Sequence, residues 1–130
     1  MKKKIIIDGN RIFDKKSLYE EINRVFMQNE DWKLGESLDA LNDLLYGGFG
    51  VIKENEEVRL IWTNFEENKK IFGFDFTLRF YQEKLQYPQT FNLKLIQKSI
   101  QELKEGKGMT YFEMILDIIS EHPNIELIKE

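Results

Sequence analysis

The sequence predicts a small α/β protein, a three-stranded parallel sheet flanked by helices. Short apolar runs stand at Ile5-Ile6-Ile7, Val58-Arg59-Leu60-Ile61-Trp62 and Ile125-Glu126-Leu127-Ile128. Segments whose apolar residues recur at helical spacing separate them. The connections are far too long for hairpins, and parallel neighbours require such crossovers. The 130 residues suit a single domain, 1–130, with enough chain to bury a core.

The first run ends at a turn, Asp8-Gly9-Asn10. Ser17 and Glu20 have capping-box spacing and predict the start of a helix, with Leu18, Ile22, Val25 and Phe26 on one face. A second helix is expected from about Ser37 to Tyr46, ended by Gly47-Gly48. Glu54 to Glu57 is a polar loop before the second strand. Asn64 with Glu67 opens another short helix, offering Phe65 and either Ile71 or Phe72 to the core.

Phe74, Leu78, Tyr81 and Leu85 keep helical spacing up to the break at Tyr87-Pro88. Leu93, Ile96, Ile100 and Leu103 repeat it until Gly106-Lys107-Gly108. Thr110 and Glu113 form another capping box, opening a helix through Phe112, Ile115, Leu116 and Ile119. It stops near His122, because Pro123 disfavours helix in the residue before it. Strand order is not readable from the pattern.

Composition narrows the function. Apolar residues make up 42% of the chain and charged residues 32%, a globular balance. A net charge of -4 argues against a protein that holds nucleic acid directly. The absence of cysteine excludes disulfides, zinc-thiolate sites and a cysteine nucleophile, and it suits the cytoplasm. The start, Met1-Lys2-Lys3-Lys4-Ile5-Ile6-Ile7, imitates the basic end of a signal peptide, but its apolar run stops at Asp8. No stretch is long enough to cross a bilayer. The expectation is a soluble, cytoplasmic protein with no membrane association and no cofactor.

The second helix carries the most information. At about 100° per residue, Leu34, Leu38, Leu41 and Leu45 gather in one sector, while Glu36, Asp39 and Asp43 gather nearly opposite. One face buries leucines and the other shows carboxylates. Asp39 and Asp43, four residues apart, repel each other mildly on an isolated helix. A solvated amphipathic helix accounts for such a face on pattern alone.

The run Leu34-Gly35-Glu36-Ser37-Leu38-Asp39-Ala40-Leu41-Asn42-Asp43 resembles the signature of the barstar family. That signature is an aromatic residue followed by Gly-Glu-Asn-Leu-Asp-Ala-Leu-Trp-Asp. Gly, Glu, Leu, Asp, Ala, Leu and the last Asp coincide without gaps. The opening strand, the turn at Gly9 and the order of elements are similar too. The likeness covers about Lys3 to Ile71 and Thr110 to Glu130, and it implies a helical insertion at about 72–108, before the last helix.

Members of that family are intracellular inhibitors of barnase-type ribonucleases, whose active sites they plug with the second helix and the loop before it. The resemblance therefore implies a non-catalytic inhibitor acting on a basic ribonuclease, as a monomer in the complex. An immunity or antitoxin role is the biological setting it suggests. A site lined with Arg, Lys and His to hold RNA phosphates accepts a rigid row of carboxylates in their place.

Position by position, Asp39 and Asp43 match the interface aspartates, Asp43 the central one, and Glu36 a flanking glutamate. Asp117 matches an acidic position of the last helix, and Phe49, in Gly47-Gly48-Phe49-Gly50, a rim aromatic. Asn42, also expected to touch the partner, stands where the family has tryptophan, and Ser37 where it has asparagine. Lys33 and Leu34 occupy loop positions held by aromatics in the family, with Trp32 a substitute after a one-residue shift.

Two other readings stay open. Asp8, after the first strand, has the placement of a magnesium-binding carboxylate in hydrolases and nucleases, with Asp39, Asp43 or Asp75 as co-ligands. Against it stands an Asp-Gly turn in which Asp caps its own backbone. The other keeps the barstar-like fold but gives it a non-nuclease partner. His122, the only histidine, sits at a helix end where partial positive charge suits the dipole.

Overall fold

The computed structural model describes residues 2–130. Its three strands, β1 (Lys3–Ile7), β2 (Val58–Trp62) and β3 (Ile125–Lys129), form one parallel sheet in the order β1-β2-β3. Ile5, Leu60 and Leu127 lie side by side in register, as do Ile7, Trp62 and Lys129. Alternation sends Ile5, Ile7, Val58, Leu60 and Trp62 into the core. The opposite face carries exposed Lys4, Ile6, Arg59 and Glu126, with Arg59 Nε donating to Glu126 Oε1 at 3.0 Å.

Six α-helices stand among the described residues: α1 (Lys15–Phe26), α2 (Leu38–Leu45), α3 (Phe65–Ile71), α4 (Phe74–Lys84), α5 (Leu93–Lys104) and α6 (Tyr111–Ser120). Leu18, Ile22 and Phe26 of α1, Leu41, Leu44 and Leu45 of α2, and Phe112, Ile115 and Ile119 of α6 join the inward face of the sheet in one cluster. Each of these side chains contributes about 1.5–3 kcal/mol by leaving water. Ile7, Leu41, Trp62 and Ile115 enclose a cavity of only about 10 Å³, so the layers are close-packed.

Several local expectations need correction. α1 starts a turn earlier than the Ser17/Glu20 pairing predicts. Asp14 is its N-cap, accepting from Ser17 N–H at 2.8 Å while Ser17 Oγ accepts from Asp14 N–H at 3.0 Å. Ser17 thus closes the box from inside the helix, and Glu20 is exposed. Asn64 precedes α3 but gives it no side-chain cap, because its backbone is left-handed, with φ of 53°. Leu34 is not part of α2. It lies buried in the preceding loop, and the full apolar set of the helix is Leu41, Leu44 and Leu45, with Leu38 half-buried. The box Thr110/Glu113 forms as expected.

Both Phe65 and Phe72 are buried, and Ile71 packs at the edge of the core. α4 and α5 pack on each other and are held to the rest chiefly by aromatic side chains. Phe72, Phe76 and Phe80 lie 6.1, 5.1 and 5.1 Å from the ring of Tyr111. Thr77 Oγ1 accepts from Tyr111 N–H at 2.7 Å. Among the described residues, no helix is long and apolar enough to cross a membrane.

Candidate functional site

The polar ends of the sheet are tied together before any surface feature is set. Buried Asn68 accepts from Trp62 Nε1–H at 2.8 Å and donates to the Gly9 carbonyl at 3.0 Å. Gly9 N–H donates to Thr63 Oγ1 at 3.1 Å. Glu21, buried on α1, accepts from Asp8 N–H at 2.8 Å and is forked by Arg24 at 2.7 and 2.6 Å. This fork raises the Arg24 guanidinium's affinity for its proton.

Asp8 is committed locally. Its carboxylate accepts from Asn10 N–H at 3.0 Å, a bond that holds its pKa below the usual range, with Arg11 helping from 3.6 Å. It acts as the turn cap that an Asp-Gly sequence implies. Asp39 and Asp43 lie on α2 and Asp75 on α4. Among the described residues, no three His, Cys, Asp or Glu side chains are grouped to hold a metal ion.

α2 is built to present carboxylates. Ser37 caps it, its hydroxyl accepting from Ala40 N–H at 3.1 Å. Leu41, Leu44 and Leu45 fix its inner face on the core. The outer face then shows Asp39, in the first turn, and Asp43, one turn on, both exposed. Asp39 is stabilised by the positive end of the helix dipole, whereas Asp43 stands near the negative end. Glu36 is exposed but lies just before the helix rather than on it. Its charge reaches the buried Tyr19–Tyr111 pair, whose hydroxyls are 2.6 Å apart, and helps burial raise both phenol pKa values.

The loop before α2 is equally fixed. Asn23 of α1 accepts from Leu34 N–H through Oδ1 at 2.6 Å, so buried Leu34 anchors it from below. Trp32, 46% exposed, packs tilted against Phe49 from the loop after α2, with ring centres 4.9 Å apart. The two aromatics, picked out separately in the sequence, form one rim. A groove of about 430 Å³, lined by Glu20, Asn23, Arg24 and Trp32 among others, runs beside that rim and does not include Asp39 or Asp43.

Asn42 points inward to a partner the sequence did not suggest. His122 Nε2 lies 2.8 Å from its Oδ1, and Tyr46, 62% exposed, meets the same imidazole edge-on at 4.7 Å. His122 itself is 4% exposed. It is therefore a buried strut between the turn after α6 and the middle of α2. Asp117 is exposed on α6, the helix packed beside α2.

Together these features define a class of protein: a one-sided parallel α/β fold that displays a rigid, carboxylate-bearing helix flanked by exposed aromatics. Residues 2–73 match the family model described as Barstar (barnase inhibitor), and the chain belongs to the barstar family. No curated protein matches it. The match spans β1, α1, α2, β2 and α3, and so includes the helix that carries Asp39 and Asp43, while Asp117 on α6 lies outside it.

Proposed function

We propose that this protein is a non-catalytic, intracellular inhibitor that blocks the basic active site of a barnase-type ribonuclease with α2. The observation that carries this reading is the outer face of that helix, where exposed Asp39 and Asp43 stand on a backbone locked by the leucines beneath. Side chains fixed before binding lose little entropy when they dock. Carboxylates so placed substitute for RNA phosphates against Arg, Lys and His, and they steer a basic partner in.

In this reading Glu36 and Asp117 extend the acidic patch, and the Trp32–Phe49 pair supplies the apolar rim. Asn42 orients the helix through His122 in place of the family's tryptophan. The segment holding α4 and α5 is an insertion into the family's fold, and the setting is that of an immunity protein or antitoxin.

The test is a titration of the protein into a barnase-type ribonuclease, with residual RNA cleavage as the readout. Wild type is expected to inhibit stoichiometrically. Asp39→Ala and Asp43→Ala are each expected to lose about 2–5 kcal/mol of binding, or about 30-fold to several thousand-fold in affinity. Inhibition unaltered in both variants would show that α2 is not the interface. Inhibition absent from the wild type would move the fold to a non-nuclease partner.

A further inference from the structure

We propose that the free edge of β1 is a docking strip on which an acidic, extended segment of a partner protein pairs as an added strand of the sheet. The strand order leaves β1 with a neighbour on one side only. The strip lies on elements other than α2, and it is a surface additional to the one proposed to meet a ribonuclease.

Register settles which backbone groups are free. Lys3 N–H donates to the Glu57 carbonyl at 2.9 Å, and Thr63 N–H donates to the Ile7 carbonyl at 3.0 Å. A strand in a parallel pair bonds its neighbour through every second residue. Lys3, Ile5 and Ile7 therefore face β2, while Lys4 and Ile6 aim their N–H and C=O groups away from it. Among the described residues, those four groups have no hydrogen-bond partner. Asp8 N–H, next along, is taken by Glu21 at 2.8 Å, so the open stretch runs from Lys4 to Ile6.

This stretch borders a groove of about 300 Å³ shared with the last turn of α1. Val25 and Val51 give the groove apolar wall, Lys3, Lys4 and Arg24 bring cations, and no carboxylate lines it. Lys3 is engaged by Glu56 at 3.6 Å and Arg24 by Glu21 at 2.6 Å. Lys4 is exposed and has no ion-pair partner among the described residues. A second copy of β1 would bring its own lysines to the groove and be repelled, whereas a strand bearing carboxylates is attracted. Charge alone would suit a chain of phosphates as well, but a row of alternating N–H and C=O groups matches a peptide backbone. Side chains of the added strand alternate between the two faces of the sheet. One set stands beside Lys4 and exposed Ile6, where carboxylates meet the ammonium, and the other turns toward Val25 and Val51. The segment that fits alternates acidic and small apolar residues.

The test is fluorescence anisotropy of a labelled short peptide of alternating glutamate and valine, titrated with the whole chain. The comparison peptides are one of alternating lysine and valine, and the first peptide with every backbone N–H methylated. Wild type is expected to bind the first peptide saturably and neither of the others. Lys4→Glu is expected to weaken binding about tenfold or more at low salt, and less as salt is raised. Lys98→Glu makes the same change in net charge on the exposed side of α5 and should stay within about twofold of wild type. Ile6→Pro removes an N–H that β2 does not use and is expected to abolish binding.

If Ile6→Pro does not fold, as circular dichroism will show, Lys4→Glu and the methylated peptide decide the matter. The inference is overturned if wild type shows no saturable binding, if the methylated peptide binds equally, or if Lys98→Glu and Lys4→Glu lose binding alike. Displacement of the peptide by an equal concentration of a short oligouridylate also overturns it, by revealing a phosphate site. None of these readings involves α2, so inhibition of a ribonuclease stands or falls separately.

Discussion

His122 Nε2 and Asn42 Oδ1 are 2.8 Å apart, joining the turn after α6 to the middle of α2 across 80 residues of sequence. The bond sits directly behind the acidic face, and the imidazole is almost wholly buried. Removing either partner leaves the other's polar atom in the interior without a bond, at about 1–3 kcal/mol. Asn42→Ala and His122→Ala are each expected to cost that much in urea unfolding. The double variant should cost less than their sum by at least about 0.5 kcal/mol. Strict additivity would mean the two side chains do not interact in solution.

Gly9 is fixed by space rather than by backbone angle. A Cβ there would lie 1.9 Å from the Thr63 carbonyl oxygen, whereas one on Gly35 meets nothing within 4 Å. Gly9→Ala must separate β1 from the end of β2 and is expected to cost at least about 2 kcal/mol. Gly35→Ala should change stability by no more than about 0.5 kcal/mol. Equal thermal midpoints for the two variants would contradict this packing.

Asn68 serves Trp62 and Gly9 at once and is fully buried. Asn68→Leu strands the indole N–H and takes one of two bonds from the Gly9 carbonyl, which keeps that from Ile12 N–H at 3.2 Å, with an expected loss of about 1–3 kcal/mol. Trp62 emission should change as its bond is lost, and near-ultraviolet fluorescence of the native state checks it. Trp32 is the only other tryptophan, so the measurement is cleanest in a Trp32→Phe background.

Trp32 separates binding from folding. It is half-exposed and touches Phe49 at the rim, outside the core cluster. Trp32→Ala should shift unfolding by no more than about 1 kcal/mol. In the proposed interface it should weaken ribonuclease binding about tenfold or more, since exposed tryptophans beside a docking surface are frequent anchors. A large stability loss with unchanged binding would assign it a structural role.

The acid limb of stability reports the cap of α1. Bonds from Ser17 hold the Asp14 pKa below its ordinary value. A carboxylate with a depressed native pKa contributes stability that is complete above its unfolded pKa, about 4, and is lost as pH falls through the native one. Asp14→Asn keeps an acceptor for Ser17 N–H but does not titrate. Its stability should therefore fall less steeply than wild type below about pH 4, in urea titrations at stepped pH. Identical slopes would show that Asp14 is not capped in solution.

Much of the molecule was legible in the amino-acid sequence because the information was local. Strand runs, the leucine-and-carboxylate helix, the Thr110/Glu113 box and the Asp8 turn all depend on residues within a few positions of one another. The N-terminus of α1 was misplaced because Ser17 fits two boxes of equal spacing, and only the tertiary path into the helix selects Asp14. Leu34 passed for part of α2 because a buried loop residue one turn upstream keeps the helix's periodicity.

The sequence by itself determined the fold class, the family pattern and which residues form the exposed face of α2, since periodicity and short-range capping act along the chain. Only the tertiary structure decided the strand order, the strut from His122 to Asn42, the Tyr19–Tyr111 contact and the Trp32–Phe49 rim. Those pairings join distant segments, and they are chosen by how whole layers pack, which no local pattern encodes.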